Sequence, residues 1–163
     1  LHVVGIVHTH AHVDHIGGAA ELAQHTGAPV YLHPEDTFLH QMLAVQAAML
    51  GLEAPLAGSI DRPLRDEGIV AFGQYELGTL HTPGHSPGSV CFCVPGEELC
   101  FSGDTLFKGG VGRTDLWGGD GDQIVHSIRN KLYTLQGAVE VVPGHGPLTH
   151  IDTERVSNPF VTA

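Results

Sequence analysis

Four side chains with metal-binding donors fall within six residues, His10, His12, Asp14 and His15, in the pattern H-x-H-x-D-H. On an extended segment, residues i and i+2 face the same way, so His10 and His12 can grip one ion together. Asp14 and His15 then open a helical stretch and face a neighbouring position. Imidazole and carboxylate donors in this mixture suit zinc, iron or manganese. Three further candidates stand alone, each beside a glycine and at the end of an expected strand. They are His85 in Thr82-Pro83-Gly84-His85, Asp104 in Ser102-Gly103-Asp104 and His145 in Pro143-Gly144-His145. A neighbouring glycine lets the backbone approach an ion closely. No Ser/His/Asp or Cys/His nucleophile set is obvious in the chain, which is consistent with a metal-bound nucleophile.

The remaining histidines have quieter readings. His81 either supports a ligand from behind or is simply a satisfied buried residue. His33 follows a strand and reads as a loop residue. Asp115, in Gly112-Arg113-Thr114-Asp115, is expected to pair with Arg113 and shape a glycine-rich loop. Cys91, Cys93 and Cys100 lie on apolar stretches and read as small buried hydrophobes in a reducing compartment. A C-x-C ligand pair is the sharper alternative for Cys91 and Cys93, with no second thiol pair to accompany it.

These side chains need a scaffold, and hydrophobic periodicity outlines one. Residues 1–7 read as a buried strand, and 8–14 as a polar loop. A helix is expected over 14–26, closed by Gly27, then a strand over 29–32. A second helix is expected over 35–51, with Phe38, Met42, Val45 and Met49 on its apolar face. Residues 52–65 look like loop. Strands follow over 68–72 and 75–81, and a hairpin over 89–94 and 98–102. Residues 103–121 form a long glycine-rich loop, 122–135 an amphipathic helix with Ile124, Ile128, Leu132 and Leu135 inward, and 139–142 a buried strand. Alternating helices and strands with no linker or repeat read as one α/β domain spanning 1–163.

Composition narrows the partners. The 163 residues carry 18 Asp and Glu against 7 Lys and Arg, a formal charge of −11, which disfavours nucleic acid. No apolar run reaches the roughly 20 residues of a membrane helix, so no membrane span is expected, and the reducing compartment read from the cysteines makes a cytoplasmic location the expectation.

Taken in order, H-x-H-x-D-H, T-P-G-H-S-P-G-S, S-G-D-T-L-F, G-R-T-D and P-G-H-G-P resemble the metallo-β-lactamase superfamily. Within it, the set is similar to the short-form, glyoxalase II-like hydroxyacylglutathione hydrolases. The resemblance implies an αββα sandwich with the ligands along one edge. It assigns His10, His12 and His85 to a first metal, Asp14, His15 and His145 to a second, and Asp104 to a bridge between them, with one or two ions bound and zinc the expected metal ahead of iron or manganese. It further implies that a water held there loses its proton near neutral pH and attacks an acyl carbonyl, with Asp14 orienting it, and that the substrate is a thioester such as an S-hydroxyacylglutathione. An iron-dependent persulfide dioxygenase is the oxidoreductase alternative; lactone and phosphodiester hydrolases share the fold. Family members begin with several strands before the H-x-H-x-D-H loop, whereas here only seven residues precede His8, so the expected sandwich lacks its N-terminal strands. Long-form glyoxalase II enzymes continue into a helical domain that binds glutathione, and this chain ends 18 residues after His145.

Overall fold

The structure, a computed structural model, describes residues 2–162. The chain runs β1 (Ile6–Val7), α1 (Val13–Ile16), α2 (Ala19–Thr26), β2 (Val30–Leu32), α3 (Thr37–Gln41), α4 (Leu43–Met49) and β3 (Arg62–Pro63). It continues through β4 (Ile69–Phe72), β5 (Tyr75–His81), β6 (Val90–Val94), β7 (Leu99–Gly103), β8 (Leu106–Phe107), β9 (Gly110–Val111), α5 (Gly121–Ser127), β10 (Glu140–Pro143), β11 (Thr149–His150) and α6 (Ile151–Ser157). Strands β1, β2 and β3 make a small parallel sheet, and a six-stranded mixed sheet has the order β11-β10-β7-β6-β5-β4. Strands β8 and β9 form a separate short hairpin.

The period-two alternation of these strands sorts their side chains into layers. Ile6, Val30 and Leu32 point one way and pack with Ile16, Leu39, Leu43 and Ala47 of the first four helices. Their sequence neighbours Val7 and Tyr31 point the other way and meet Val70, Leu77, Val90 and Phe92 of the large sheet. Cys91, Cys100 and Leu80 lie on the far face of that sheet, under Ile124, Ile128 and Ile151. Helices, small sheet, large sheet and helices therefore stack in the order αββα. Each fully buried Leu or Ile in these layers contributes about 1.5–3 kcal/mol relative to exposure. Cys91 and Cys100 are buried and Cys93 partly so, and all three are free thiols inside the sheet core rather than metal-site donors.

Several elements differ from expectation. The strand expected over 1–7 is regular only at Ile6–Val7, because β2 is the strand it pairs with and the register covers two residues; Leu1 lies outside the described residues. The helix expected over 14–26 is broken at Gly17-Gly18, where two poor helix formers adjoin. The helix over 35–51 is a short 3-10 turn at Pro34–Asp36 followed by α3 and α4. It buries Leu39, Leu43, Gln46 and Ala47, and leaves Phe38, Val45 and Met49 exposed, the reverse of the expected face. The stretch 52–65 contains β3, and the stretch 103–121 contains the β8–β9 hairpin. The helix over 122–135 begins at Gly121 and ends in a wider π turn at Ile128–Leu132, with Ile124, Ile128 and Leu132 inward as expected. Helix α6 lies in a tail for which no element was expected. Among the described residues, no helix is long and apolar enough to cross a membrane.

Candidate metal centre

Sheet topology brings the dispersed donors to one end of the molecule. Strands β5 and β7 both run antiparallel to β6, and β10 runs parallel to β7, so the C-terminal ends of all three point the same way. His85, Asp104 and His145 follow those ends. Gly103 sits opposite Pro143, and the Gly144 amide donates to the Gly103 carbonyl at 2.8 Å, so Asp104 and His145 emerge side by side. The loop after β1 reaches the same end, where the Val90 amide donates to the Thr9 carbonyl at 2.8 Å. His12 is still extended (φ −73°, ψ 149°) and caps α1, whose first turn carries Asp14 and His15.

The seven residues form two adjoining groups. In the first, His12 Nδ1 lies 2.9 Å from His85 Nε2, which lies 3.3 Å from His10 Nε2. In the second, His145 Nε2 is 3.2 Å from both His15 Nε2 and Asp14 Oδ2. Asp104 stands between them, with Oδ2 3.6 Å from His85 Nε2 and 3.6 Å from His145 Nε2, and Oδ1 3.4 Å from His15 Nε2. That His15 contact is one of charge, outside hydrogen-bond geometry, and leaves the buried Oδ1 without a hydrogen-bond partner among the described residues.

This donor set fits divalent metal. Nitrogens about 2.0–2.1 Å from a tetrahedral zinc stand roughly 3.3 Å apart, close to the spacings in both groups. His85 places Nδ1 2.8 Å from the Arg113 carbonyl; a proton donated there leaves Nε2 as a bare lone pair facing His10 and His12. Burial, reinforced by the neighbouring imidazoles, pushes His10 well below the usual histidine range and His12 down to about 4, and burial also lowers His85. These rings are therefore neutral bases at physiological pH, the form a cation requires. At His15 burial is outweighed by the Asp104 and Asp14 carboxylates, which raise it; burial of Asp104 is outweighed by His15, which lowers it. His10, His12 and His85 are buried, whereas the side chains of Asp14 and His145 are 48% and 58% exposed, so the second group opens to solvent. A cavity of about 430 Å³ is lined by five of the seven together with Met49, Leu50, Leu116 and Trp117.

Two buried polar residues that sequence reasoning missed hold the ligand loops. Asp36, fully buried, accepts from the Ala11 amide at 2.9 Å, the Ser86 hydroxyl at 2.8 Å and the Gly88 amide at 2.6 Å. It thereby fastens the His10–His15 loop to the His85 loop. Gln46 accepts from the Val13 amide at 3.0 Å and donates to the Ala11 and Leu39 carbonyls at 3.2 and 2.8 Å. The available signal was a polar pair, Asp36 and Gln46, at helical spacing from Leu39 and Leu43. His81 places Nε2 2.8 Å from the Pro87 carbonyl and stacks on His33 at 4.0 Å between centroids, so it braces the His85 loop rather than a ligand ring. His33, expected as a loop residue, is buried and caps the turn that carries Asp36. Arg113 pairs with Asp115 through two bonds of 2.7 and 2.9 Å, as expected.

The family profile of the metallo-beta-lactamase superfamily matches residues 1–145. The probable metallo-hydrolase YqgX of Bacillus subtilis is 44% identical over 160 residues, covering 97% of this chain and 75% of that protein. The hydroxyacylglutathione hydrolase GloC of Haemophilus influenzae is 40% identical over 157 residues, covering 95% of this chain and 74% of that protein. The crystal structure of TTHA1623 in a di-iron-bound form superposes with a TM-score of 0.91 at 43% identity, covering 99% of this chain and 79% of that one.

Proposed function

This chain belongs to the metallo-beta-lactamase superfamily, and we propose that it is a metal-dependent hydrolase cleaving a thioester such as an S-hydroxyacylglutathione. The observation that carries the reading is the position of Asp104, within 3.6 Å of a nitrogen from each ligand group. His10, His12 and His85 would hold one dication and Asp14, His15 and His145 a second, with Asp104 shared. When bound, such ions supply Lewis acidity and lower the pKa of water towards neutrality. Zinc is the proposed metal; the di-iron form of TTHA1623 makes iron the first competitor, and manganese shares the donor preference.

The chain's own residues set the rest. The three buried imidazoles stay unprotonated and fixed, His85 by Arg113 and its loop by Asp36. Asp14, half exposed at the mouth, is placed to accept a hydrogen bond from an incoming water and orient it. A thiolate leaving group, with a conjugate-acid pKa of about 8.5, departs with little protonation. That suits a cavity whose acidic and imidazole groups are all taken up in the donor set. The 40% identity to a protein named hydroxyacylglutathione hydrolase supports the thioester class. A one-iron persulfide dioxygenase needs two histidines and one carboxylate, and leaves the convergence of Asp14, His15 and His145 without a use.

The test is release of free thiol from S-lactoylglutathione by protein loaded with zinc, iron or manganese in turn. Turnover that a chelator abolishes and metal restores is expected. Absence of turnover with all three metals overturns the thioester assignment.

A further inference from the structure

We propose that the cavity beside the metal centre receives the acyl side chain of the thioester and selects for a large apolar one. This rests on the hydrolase reading above and narrows its substrate class. The wall facing the ligands is formed by Met49, Leu50, Leu116 and Trp117. Met49 and Leu50 are 66% and 63% exposed and Trp117 is 38% exposed, so large apolar groups from the end of α4 and from the glycine-rich loop stand open to whatever enters. Met49 belongs to the face that sequence periodicity expected to be core.

Charge decides which arm of the substrate meets that wall. Arg113 is the one Lys or Arg among the residues lining the cavity, and Asp115 offsets its charge and takes two of its five N–H donors. A glutathionyl arm brings two carboxylates and an ammonium, and laying these against the apolar side chains of Met49 and Trp117 would strip their water for little return. An uncharged acyl side chain incurs no such cost and gains contact area. The charged thiol arm is therefore directed to solvent at the Asp14 and His145 side, and the acyl substituent to the apolar wall. Among 2-hydroxyacyl thioesters, a phenyl substituent fits this arrangement better than a methyl.

The experiment compares S-mandeloylglutathione with S-lactoylglutathione on the metal-loaded chain, and the two product acids by binding. Trp117 is the sole tryptophan, so its emission reports occupancy of this wall without requiring turnover. Mandeloyl is expected to exceed lactoyl in kcat/KM by about tenfold or more, and mandelate to perturb Trp117 at a correspondingly lower concentration than lactate. The double variant Met49→Ser/Leu50→Ser, at exposed positions outside the core, should shrink both differences. Tighter mandelate binding with no thioester turnover would uphold the apolar cavity and remove the hydrolase reading. Equal turnover of both thioesters with equal binding of both acids would overturn the cavity assignment and leave the hydrolase reading standing.

Discussion

His12 and His85, 73 residues apart in the chain, bring Nδ1 and Nε2 to 2.9 Å. With the His85 Nδ1 proton donated to the Arg113 carbonyl, its Nε2 presents a lone pair at this contact. Replacing His85 by Ala removes one of three nitrogens from the buried group. We expect metal affinity to fall by more than the roughly 10–100-fold typical of losing a supporting partner, read by competition with a chromogenic chelator. Affinity within about threefold of wild type would mean that His85 is not a ligand.

Asp36 gives a sharper test of how the loops are held. Its two oxygens accept three donors, so Asn in its place must turn an N–H towards at least one of them. Asp36→Asn should cost about 1–3 kcal/mol in urea unfolding and weaken metal binding although it touches no metal. A variant with unchanged unfolding midpoint and unchanged affinity would show that the two loops do not depend on this carboxylate.

Gly144 is confined by the site itself. A Cβ there would stand 2.3 Å from Asp104 Oδ1 and 2.6 Å from His15 Cε1. Gly144→Ala should therefore lower metal affinity about tenfold or more by displacing one of these side chains, while far-ultraviolet circular dichroism stays at the wild-type level. Wild-type affinity in the alanine variant would place the side chains of Asp104 and His15 elsewhere than described.

What could be read from sequence follows from what local pattern encodes. The H-x-H-x-D-H run is contiguous, so its donors were visible without any knowledge of topology. His85, Asp104 and His145 could be picked as isolated strand-end residues beside glycine, but their meeting depends on β7 and β10 being parallel neighbours, a pairing across about 40 residues that local periodicity does not encode. The apolar face of α4 was misread because Leu39, Leu43 and Ala47 compete with Phe38, Val45 and Met49 for the same 3.6-residue repeat. The break at Met42 and the proximity of the small sheet decide between them. Asp36 and Gln46 were missed because a buried carboxylate and amide look like surface residues until the amides that satisfy them are known.

A pH effect is expected away from the site. Slight burial nudges the Asp66 carboxyl up, but the Lys131 ammonium and the His81 amide outweigh it and hold it below the usual carboxylate range. A lowered folded value means that this contribution is complete above about pH 4, where the unfolded carboxyl is also ionised, and is lost as pH falls through the folded value. Asp66→Asn should reduce stability at neutral pH by no more than about 1 kcal/mol, since the pair is partly exposed and screened, and the gap to wild type should close as pH falls below the usual carboxylate range. A gap that widens on acidification would contradict the assigned sign.

The most direct measurement is the number of zinc ions retained per chain after equilibrium dialysis, for wild type and for Asp104→Ala. The arrangement predicts about two for wild type, the ion held by the solvent-open group Asp14, His15 and His145 leaving first under a weak chelator, and one or fewer for the variant. Failure of the wild type to retain zinc, iron or manganese, or identical retention in Asp104→Ala, would contradict a shared two-ion centre.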